Sequence, residues 1–326
     1  MTRPIAITMG DACGVGPEIV ALAFRRGAAA GCAVIGDVGV MRRAAAHTGG
    51  LLAVARIDAA ADALDAPPNC IAVLQAKGVP ERLLDAPMGR ADARAGAAAA
   101  RSIEAAVRLA LAGEVAAIVT APIHKEALHA AGIAYPGHTE MLQALAGAPA
   151  VRMMLANDEL RVVLVTTHVS LRAAIDALTH DLVLETIAIA QRAAAAWGRP
   201  APRIAVAGLN PHAGEQGLFG DEESRVIAPA VEAARAQGID AHGPFAPDTV
   251  FMRARRGEFD LVVAMTHDHG LIPIKYLGFE RGVNVTLGLP FVRTSPDHGT
   301  AFDIAGTGRA DASSLLAAIE AARRIC

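Results

Sequence analysis

The chain has 326 residues, more than a single hydrophobic core usually includes, so we expect two packed lobes. Its net charge of -3 and pI of about 6.4 exclude a strongly basic surface for nucleic acid or anionic membranes. The four cysteines show no paired spacing, the N-terminus lacks the pattern of a signal peptide, and no apolar run is long enough to span a membrane. We therefore expect a soluble cytoplasmic protein with free thiols.

Runs rich in Val and Ile alternate with alanine-rich helical stretches along the whole chain. In chain order, the predicted strands are PIAITM, GCAVIGD, NCIAVLQ, VAAIVTAP, LRVVLVTTH, RIAVAGLNPH, FDLVVAMTHDH and GVNVTLGL. Apolar residues at helical spacing predict helices over 93–114 and 182–198. This alternation predicts an α/β fold with a largely parallel, helix-covered sheet.

No linker rich in Ser or charged residues separates the two expected lobes. The chain is expected to cross between them near residues 122–137 and 280–295. We therefore predict that residues 1–125 and 290–326 form the first lobe, and that residues 126–289 form the second.

Three of the predicted strands lead into a histidine, namely His168, His212 and His267. Ligands of open α/β sheets bind beyond the carboxyl ends of the strands, so these side chains can converge on one crevice. Three neutral imidazoles suit Zn, Co, Ni or Fe and leave positions open for substrate. One such histidine alone would more simply be a hydrogen-bonding strand cap, but the threefold repetition favours a metal site.

The neighbours of these histidines add to the pattern. In HDHG, Asp268 and His269 are placed to orient a ligand, and Gly270 is expected to let the backbone turn close to a bound molecule. A solvated loop position explains His269 equally well. Residues 209–223, LNPHAGEQGLFGDEE, have spaced glycines, which favour a binding lid over a simple connection.

Two segments could recognise an anion. His138 and Thr139 precede a predicted helix, whose N-terminus offers free amide donors, although Thr139 could also be an ordinary helix cap. Lys275 and Arg293 each follow an apolar segment. Together with Asn284 they could clamp a phosphate or carboxylate, or they could extend charged ends from buried stems.

The sequence lacks the usual nucleotide fingerprints. GDACGVGPEI at 10–19 looks like a phosphate loop, but Ile19 stands where GxGxxG needs its third glycine, and GxxxxGK[ST] does not occur. Residues 297–311, DHGTAFDIAGTGRAD, are the better candidate because their small side chains would let a planar base approach the backbone. A tight structural loop would have the same composition.

Ordered motifs over nearly the whole chain resemble the 4-hydroxythreonine-4-phosphate dehydrogenase family. These motifs are ITMGDACGVGPEI, VTAPIHKEALHAAG, GHTEML, VTTHVSL, LNPHAGEQGLFGDEE, HDHG and GVNVTLGLPFVRTSPDHGTAFDIAGTG. The resemblance implies two α/β/α lobes of the isocitrate and isopropylmalate dehydrogenase type, with the active site in the cleft between them. It further implies a homodimer with a shared site, NAD or NADP, and one divalent metal ion, Zn, Mg or Co.

The resemblance also assigns roles to particular residues. It implies that the metal ligands are His168, His212 and His267. The substrate-binding positions would be His138, Thr139, Lys275, Asn284 and Arg293. The segment HGTAFDIAGTG is similar to the adenine-side loop of isopropylmalate and isocitrate dehydrogenases, so the nucleotide positions would be His298, Gly299, Asp303 and Gly306.

The implied reaction oxidises 4-phosphohydroxy-L-threonine to a 3-keto acid, which decarboxylates to 3-amino-2-oxopropyl phosphate in pyridoxal phosphate biosynthesis. The metal would acidify the C3 hydroxyl, and Lys275, Asp248 or Asp268 would accept its proton.

Departures from the family pattern keep the substrate open. GDACG replaces GDPAG, HDHG replaces HDQG, and His124 stands where relatives often have Asn. Paralogues that oxidise 4-phospho-D-threonate, 4-phospho-D-erythronate or a terephthalate cis-diol are alternatives. A small-anion-binding protein and a metal-dependent aldolase are rival classes, and neither of them would need a nicotinamide nucleotide.

Overall fold

The computed structural model describes residues 2–278 and 282–326, which form alternating strands and helices. The predicted α/β class is confirmed. The strands are β1 Ile5–Thr8, β2 Cys32–Gly36, β3 Ala53–Ile57, β4 Cys70–Gln75, β5 Ala117–Thr120, β6 Arg152–Ala156, β7 Arg161–Leu164, β8 Ile204–Ala207, β9 Ala241–Phe245, β10 Leu261–Ala264, β11 Val283–Leu287 and β12 Val292–Pro296.

The α-helices cover both predicted helical stretches and several others. They are α1 Gly16–Arg25, α2 Val38–His47, α3 Ala93–Leu111, α4 Lys125–Ala130, α5 His138–Ala146, α6 Leu171–Ala177, α7 His180–Ala196, α8 Ala228–Ala236, α9 Val250–Arg255, α10 His267–Tyr276 and α11 Ser313–Ile325. Within the described residues, no helix is long and apolar enough to cross a membrane.

The chain divides into two compact units. Unit 1 comprises Met1–Ala150, Leu289–Arg324 and Cys326, and unit 2 comprises Val151–Gly288 with Ile325. The predicted division after residue 125 is therefore corrected, because residues 126–150 belong to unit 1. The physical reason is that α4 and α5 pack against α3 of that unit.

The strands of unit 1 lie in the order β3-β4-β2-β1-β5-β12. Each neighbouring pair in this order is parallel. Buried strands such as IAIT and CAVIG are almost wholly apolar, as expected for a parallel sheet that is covered by helices on both faces. All these strands therefore direct their carboxyl ends towards one edge.

The strands of unit 2 lie in the order β11-β6-β7-β10-β8-β9. The pairs β7 with β10, β10 with β8, and β8 with β9 are parallel, whereas β6 pairs antiparallel with both β7 and β11. The short turn between β6 and β7 explains this reversal, because a parallel pairing would need a long crossover. The expectation of a largely parallel sheet thus holds with two antiparallel pairs.

The alanine-rich helix α3 packs unusually close to its neighbour because its buried face consists mainly of small residues. The Asp92 side chain caps the N-terminus of α3 by accepting a hydrogen bond from the Arg94 amide. At Gly96 the two helices approach so closely that a Cβ atom would lie 2.0 Å from the carbonyl oxygen of Ala127 in α4. Any side chain at position 96 would therefore separate α3 from α4.

We expect Gly96→Ala to destabilise the protein by about 1–3 kcal/mol, because the added methyl group overpacks the contact with the α4 backbone. Helix propensity alone predicts the opposite sign, a gain of roughly 1 kcal/mol. Urea unfolding of the two proteins measures the difference. A variant as stable as the parent or more stable would contradict the close approach.

Candidate active site

The three strands that lead to the predicted metal ligands are neighbours in unit 2. Strand β10 pairs in parallel with β7 on one side and with β8 on the other. His168 follows β7, His212 follows β8, and His267 is the first residue of α10 after β10. All three histidines therefore belong to segments that leave the same edge of this sheet.

His168 and His267 lie side by side. The centroids of their imidazole rings are 5.7 Å apart, and the rings are tilted by 51°. The Nδ1 atom of His267 is 2.7 Å from a carboxylate oxygen of Asp268, to which it is placed to donate. That hydrogen bond leaves the lone pair on Nε2, the arrangement that a carboxylate imposes on histidines which bind metals.

His212 lies in a loop with an uncommon backbone. Residues from His212 to Gln216 all have φ values between 40° and 77°, in the left-handed region. The His212 side chain is exposed and contacts the ring of Phe219, with 5.8 Å between the ring centroids. The predicted lid is therefore a compact left-handed turn that extends the imidazole from the sheet edge.

A cavity of about 820 Å³ in unit 2 brings His212 together with other predicted residues. Asp248, Asp268 and His269 line the same cavity, and its remaining lining is mostly apolar. Asp248 and Asp268 are two of the three predicted proton acceptors. Lys275, the third, lies in the last turn of α10 and is half-buried.

Among residues 2–278 and 282–326, no three His, Cys, Asp or Glu side chains form a group that could hold a metal ion. His168 and His267 thus form a pair, and His212 does not complete a three-ligand group with them in this arrangement. The donor types fit a divalent ion, since neutral imidazole is a ligand of Zn and Co and Asp268 orients one of the rings. A metal held by all three histidines remains a prediction.

Two neighbours of His267 have roles that differ from the expectation. Gly270 does not turn the backbone towards a ligand; it lies inside α10, where a Cβ atom would be 2.4 Å from Leu164 Cδ2 of β7. It is glycine because the helix packs directly on the sheet. The Nδ1 atom of His269 is buried without a hydrogen-bond partner in the described structure, and burial lowers the pKa of this imidazole, although the nearby charge of Asp268 opposes the shift.

Unit 1 brings together two of the predicted anion-binding residues. The Arg293 side chain on β12 is buried, and its guanidinium donates to the Thr120 hydroxyl over 2.6 Å and 3.2 Å. Burial lowers the pKa of Arg293 to about 10, so the group is still a cation at neutral pH. Burial and the positive charge of Arg293 hold the pKa of His138 well below its usual value, so this imidazole is neutral.

This pairing of a buried cation with a neutral imidazole suits an anionic ligand. The Nε2 atom of His138 is buried and has no hydrogen-bond partner among the described residues. Thr139 follows it in the first turn of α5, whose N-cap is Gly137, so the alternative that Thr139 caps the helix is wrong. Of the other substrate-binding candidates, Lys275 and Asn284 both belong to unit 2, the latter on β11.

The predicted nucleotide loop connects β12 to α11 in unit 1 and is held at several points. Its Thr300 carbonyl accepts a hydrogen bond from the Val15 amide over 2.9 Å. The Nε2 atom of His298 is buried without a described partner, and a Cβ atom added at Gly299 would meet nothing within 4 Å. An unpartnered imidazole nitrogen beside open space over a glycine fits a nucleotide, and Asp303, also predicted to bind it, is exposed.

Sequence reasoning missed a polar pair at the carboxyl ends of β1 and β5. Asp11 is fully buried, and one of its oxygens accepts from the Cys13 amide over 2.8 Å, while Oδ2 has no described partner. Burial raises the pKa of the Asp11 carboxyl to about 6, and the nearby His124 opposes that shift. His124 stacks on Phe302 of the nucleotide loop, with 4.5 Å between the rings. The motif GDACG contained the signal, a charged residue directly after a buried strand.

Comparisons with known proteins identify the chain. The fold and the polar strand ends define an α/β enzyme, and the family model for the pyridoxal phosphate biosynthetic protein PdxA matches residues 28–322. A 4-hydroxythreonine-4-phosphate dehydrogenase from Beijerinckia indica is 54% identical, over 100% of this chain and 96% of that protein. A D-threonate 4-phosphate dehydrogenase from Pectobacterium atrosepticum is 48% identical, over 100% of both chains.

A solved structure agrees with these relatives. The structure of a 4-hydroxythreonine-4-phosphate dehydrogenase from Klebsiella pneumoniae is 47% identical in sequence and has a TM-score of 0.92, and the match covers 99% of each chain. The protein therefore belongs to the PdxA family and is an oxidoreductase. The relatives' activities favour this class over a binding protein or an aldolase.

The raised pKa of Asp11 predicts a specific pH dependence of stability. Its carboxyl binds a proton more tightly in the folded chain, with a pKa of about 6, than in the unfolded chain, with the ordinary pKa of 3.8. Stability is therefore lost as the pH rises from about 4 to about 6, by an amount on the order of 3 kcal/mol. The difference in unfolding free energy between the parent and Asp11→Asn, measured in urea at several pH values, isolates this contribution.

Asp311→Asn is the matched control of opposite sign. Hydrogen bonds from Ser313 lower the pKa of Asp311, so its contribution is present above pH 4 and is lost as the pH falls. A parent-minus-variant difference that does not change between pH 4 and pH 6 for Asp11 would disprove the assignment of its raised pKa.

Proposed function

We propose that the protein oxidises 4-phosphohydroxy-L-threonine with NAD, or with NADP, to a 3-keto acid that decarboxylates to 3-amino-2-oxopropyl phosphate. The main support is the buried Arg293, which donates to Thr120 at the carboxyl end of β5 and whose charge, together with burial, keeps His138 neutral. A buried guanidinium binds a phosphate or carboxylate strongly because its hydrogen bonds are charge-assisted and little weakened by water. The compound would be consumed in the cytoplasm, where pyridoxal phosphate is made.

4-Phospho-D-threonate is the second candidate substrate. It has a phosphate, a carboxylate and the same oxidisable hydroxyl. Relatives named for it are 47–50% identical to this chain, against 46–54% for those named for the amino acid. 4-Phospho-D-erythronate differs only in stereochemistry and belongs to the same comparison. A terephthalate cis-diol is the least favoured substrate, because the solved structure of a terephthalate 1,2-cis-dihydrodiol dehydrogenase from Burkholderia xenovorans is only 31% identical to this chain.

Each predicted residue has a defined task in this reaction. Arg293, His138 and Thr139 bind one anionic end of the substrate, and Lys275 and Asn284 bind the rest of it. A divalent ion of Zn, Mg or Co on His168, His212 and His267 would supply Lewis-acid chemistry, lowering the pKa of the substrate hydroxyl. Asp268 holds His267 in the tautomer whose Nε2 can bind such an ion.

The hydroxyl proton needs an acceptor, and the geometry favours one of the three candidates. Asp248 and Asp268 both line the cavity that contains His212, whereas Lys275 lies two turns further along α10. Asp268 already accepts a hydrogen bond from His267, which leaves Asp248 as the carboxylate with the fewest competing contacts. His298, Gly299, Asp303 and Gly306 would hold NAD, which would supply the acceptor for the hydride.

We also propose a homodimer whose subunits share the active site. Its support is the apolar surface of unit 2 around the cavity, where Met252, Ile272 and Tyr276 line the cavity and are exposed by 47%, 64% and 90%. Val169 and Leu171, which follow His168, are exposed as well. Contiguous exposed apolar side chains of this kind are typical of surfaces that bind another protein.

NADH formation with added Co2+ tests the function. We expect turnover of 4-phosphohydroxy-L-threonine, and the same assay with 4-phospho-D-threonate and 4-phospho-D-erythronate determines which acid is preferred. A metal-stripped sample is the control and should be inactive. Activity on a threonate or erythronate phosphate alone would replace the first substrate by the second, and no activity on all three would disprove the proposal.

His212→Ala tests the metal assignment. We expect loss of bound metal and a fall in kcat of at least about 100-fold, because one of three predicted ligands is removed. Metal content measured by elemental analysis and turnover are the readouts. His180→Ala is the matched control, since His180 lies in the same unit and, within the described part of the chain, pairs with the neighbouring Asp181. Normal metal content and turnover in the His212 variant would disprove the three-histidine site.

A further inference from the structure

Each unit contains a buried glutamate that holds one of the two predicted ligand loops by its backbone. Glu18 is 1% exposed and lies in the first turn of α1 in unit 1. Glu223 is 5% exposed and begins a short π-helical turn, Glu223–Ile227, before α8 in unit 2. Both carboxylates accept hydrogen bonds from amides of glycine-rich segments, so the same kind of contact stabilises a loop in each unit.

Glu18 holds the predicted nucleotide loop at its far end. Its Oε1 accepts from the Gly306 amide over 2.5 Å, and its Oε2 accepts from the Gly308 amide over 3.1 Å. Both glycines have positive φ, 79° and 70°, which L-residues rarely adopt. A Cβ atom at Gly308 would also lie 2.7 Å from the His47 carbonyl oxygen. Glu18 therefore sets the conformation of the segment that contains Gly306, a predicted nucleotide contact.

Glu223 holds the loop that carries His212. Its Oε1 accepts from the amides of Leu209 and Asn210, each over 2.7 Å, and its Oε2 accepts from the Asn210 side chain over 3.0 Å. The carboxylate sits inside the loop, because a Cβ atom at Gly208 would lie 2.9 Å from Oε1 and one at Gly214 would lie 2.7 Å from Oε2. The glycines of GLNPHAG thus make room for this side chain.

The left-handed backbone of the His212 loop is energetically costly and needs stabilising contacts. The left-handed conformation costs about 1–2 kcal/mol per L-residue, and four non-glycine residues between 212 and 216 adopt it. Charge-assisted hydrogen bonds from a carboxylate to backbone amides are roughly twice as strong as neutral ones and can offset part of that cost. Without the carboxylate, the loop would lose these hydrogen bonds, and the cost of the left-handed conformation would no longer be offset.

We propose that Glu18 and Glu223 are positioning residues, of which Glu18 preorganises the nucleotide loop and Glu223 preorganises the His212 loop for the metal ion. This inference rests on the proposed function, because it uses NAD and a divalent ion as the ligands of the two loops. Neither glutamate contacts a ligand itself. Their effects are separable, because each acts within its own unit.

Glu18→Gln and Glu223→Gln in the full-length protein test the proposal. Glutamine keeps the shape but replaces one accepting oxygen by a donor. In Glu18→Gln one backbone amide therefore loses its acceptor, and in Glu223→Gln at least the side-chain amide of Asn210 does. We expect Glu18→Gln to raise the Kd of NADH about tenfold or more, while the Kd of Co2+ changes less than twofold. We expect Glu223→Gln to show the reverse. NADH binding is measured by fluorescence and Co2+ binding by calorimetry.

Each variant controls the other, since a variant that had lost its fold would bind neither ligand. Glu215→Gln is a further control: Glu215 is exposed in the same loop as His212, so it changes the same charge without touching the clamp, and the Kd of Co2+ should stay within twofold.

Several outcomes overturn the inference. Equal weakening of both ligands in one variant would mean that the glutamate stabilises the whole fold. Unchanged Kd values in both variants would mean that the loops keep their shape without the carboxylates, and an equal effect of Glu215→Gln would reduce the role of Glu223 to its charge. Binding of NADH and Co2+ to the parent protein tests the proposed function separately. If the parent protein bound neither ligand, the proposed function itself would be wrong, and with it the positioning roles of the two glutamates.

Discussion

The parallel pairing of β7, β10 and β8 is the constraint on which the candidate active site depends. Neighbouring strands are about 4.8 Å apart, and parallel strands end at the same edge. The segments that carry His168, His212 and His267 therefore leave the sheet side by side, whatever the distance between them in the sequence. The segments beyond that edge also carry Asp248 and Asp268, which line the same cavity as His212.

Burial gives the polar groups at these edges their chemical character. Arg293 keeps its charge although its surroundings exclude water, and burial together with that charge lowers the pKa of His138 and keeps it neutral. Burial also disfavours the charged form of Asp11 and raises the pKa of its carboxyl, and the second oxygen of this carboxyl has no described partner. Groups of this kind destabilise a fold unless a ligand or a neighbour satisfies them, and they concentrate at functional sites.

Most strands were predictable, but β3, β6, β9 and β12 were not, and two of these four share a cause. Runs such as IAIT, CAVIG and LVVA occupy covered positions in the sheets, so their sequences are almost wholly apolar. β3 and β9 are the outer strands of their units, and their sequences AVARI and AHGPF do not show an apolar run. Edge strands need no buried side chains on both faces, so hydrophobic pattern alone does not reveal them.

The sequence by itself determined the α/β alternation and the placement of three histidines after strands, because both follow from local apolar periodicity. Only the tertiary structure decided the contacts between distant residues. Glu18 meets the amides of Gly306 and Gly308, 288 and 290 positions away, and Gly96 is required by the backbone of Ala127. Such contacts depend on how whole elements pack, and a local pattern contains no information about the element on the other side.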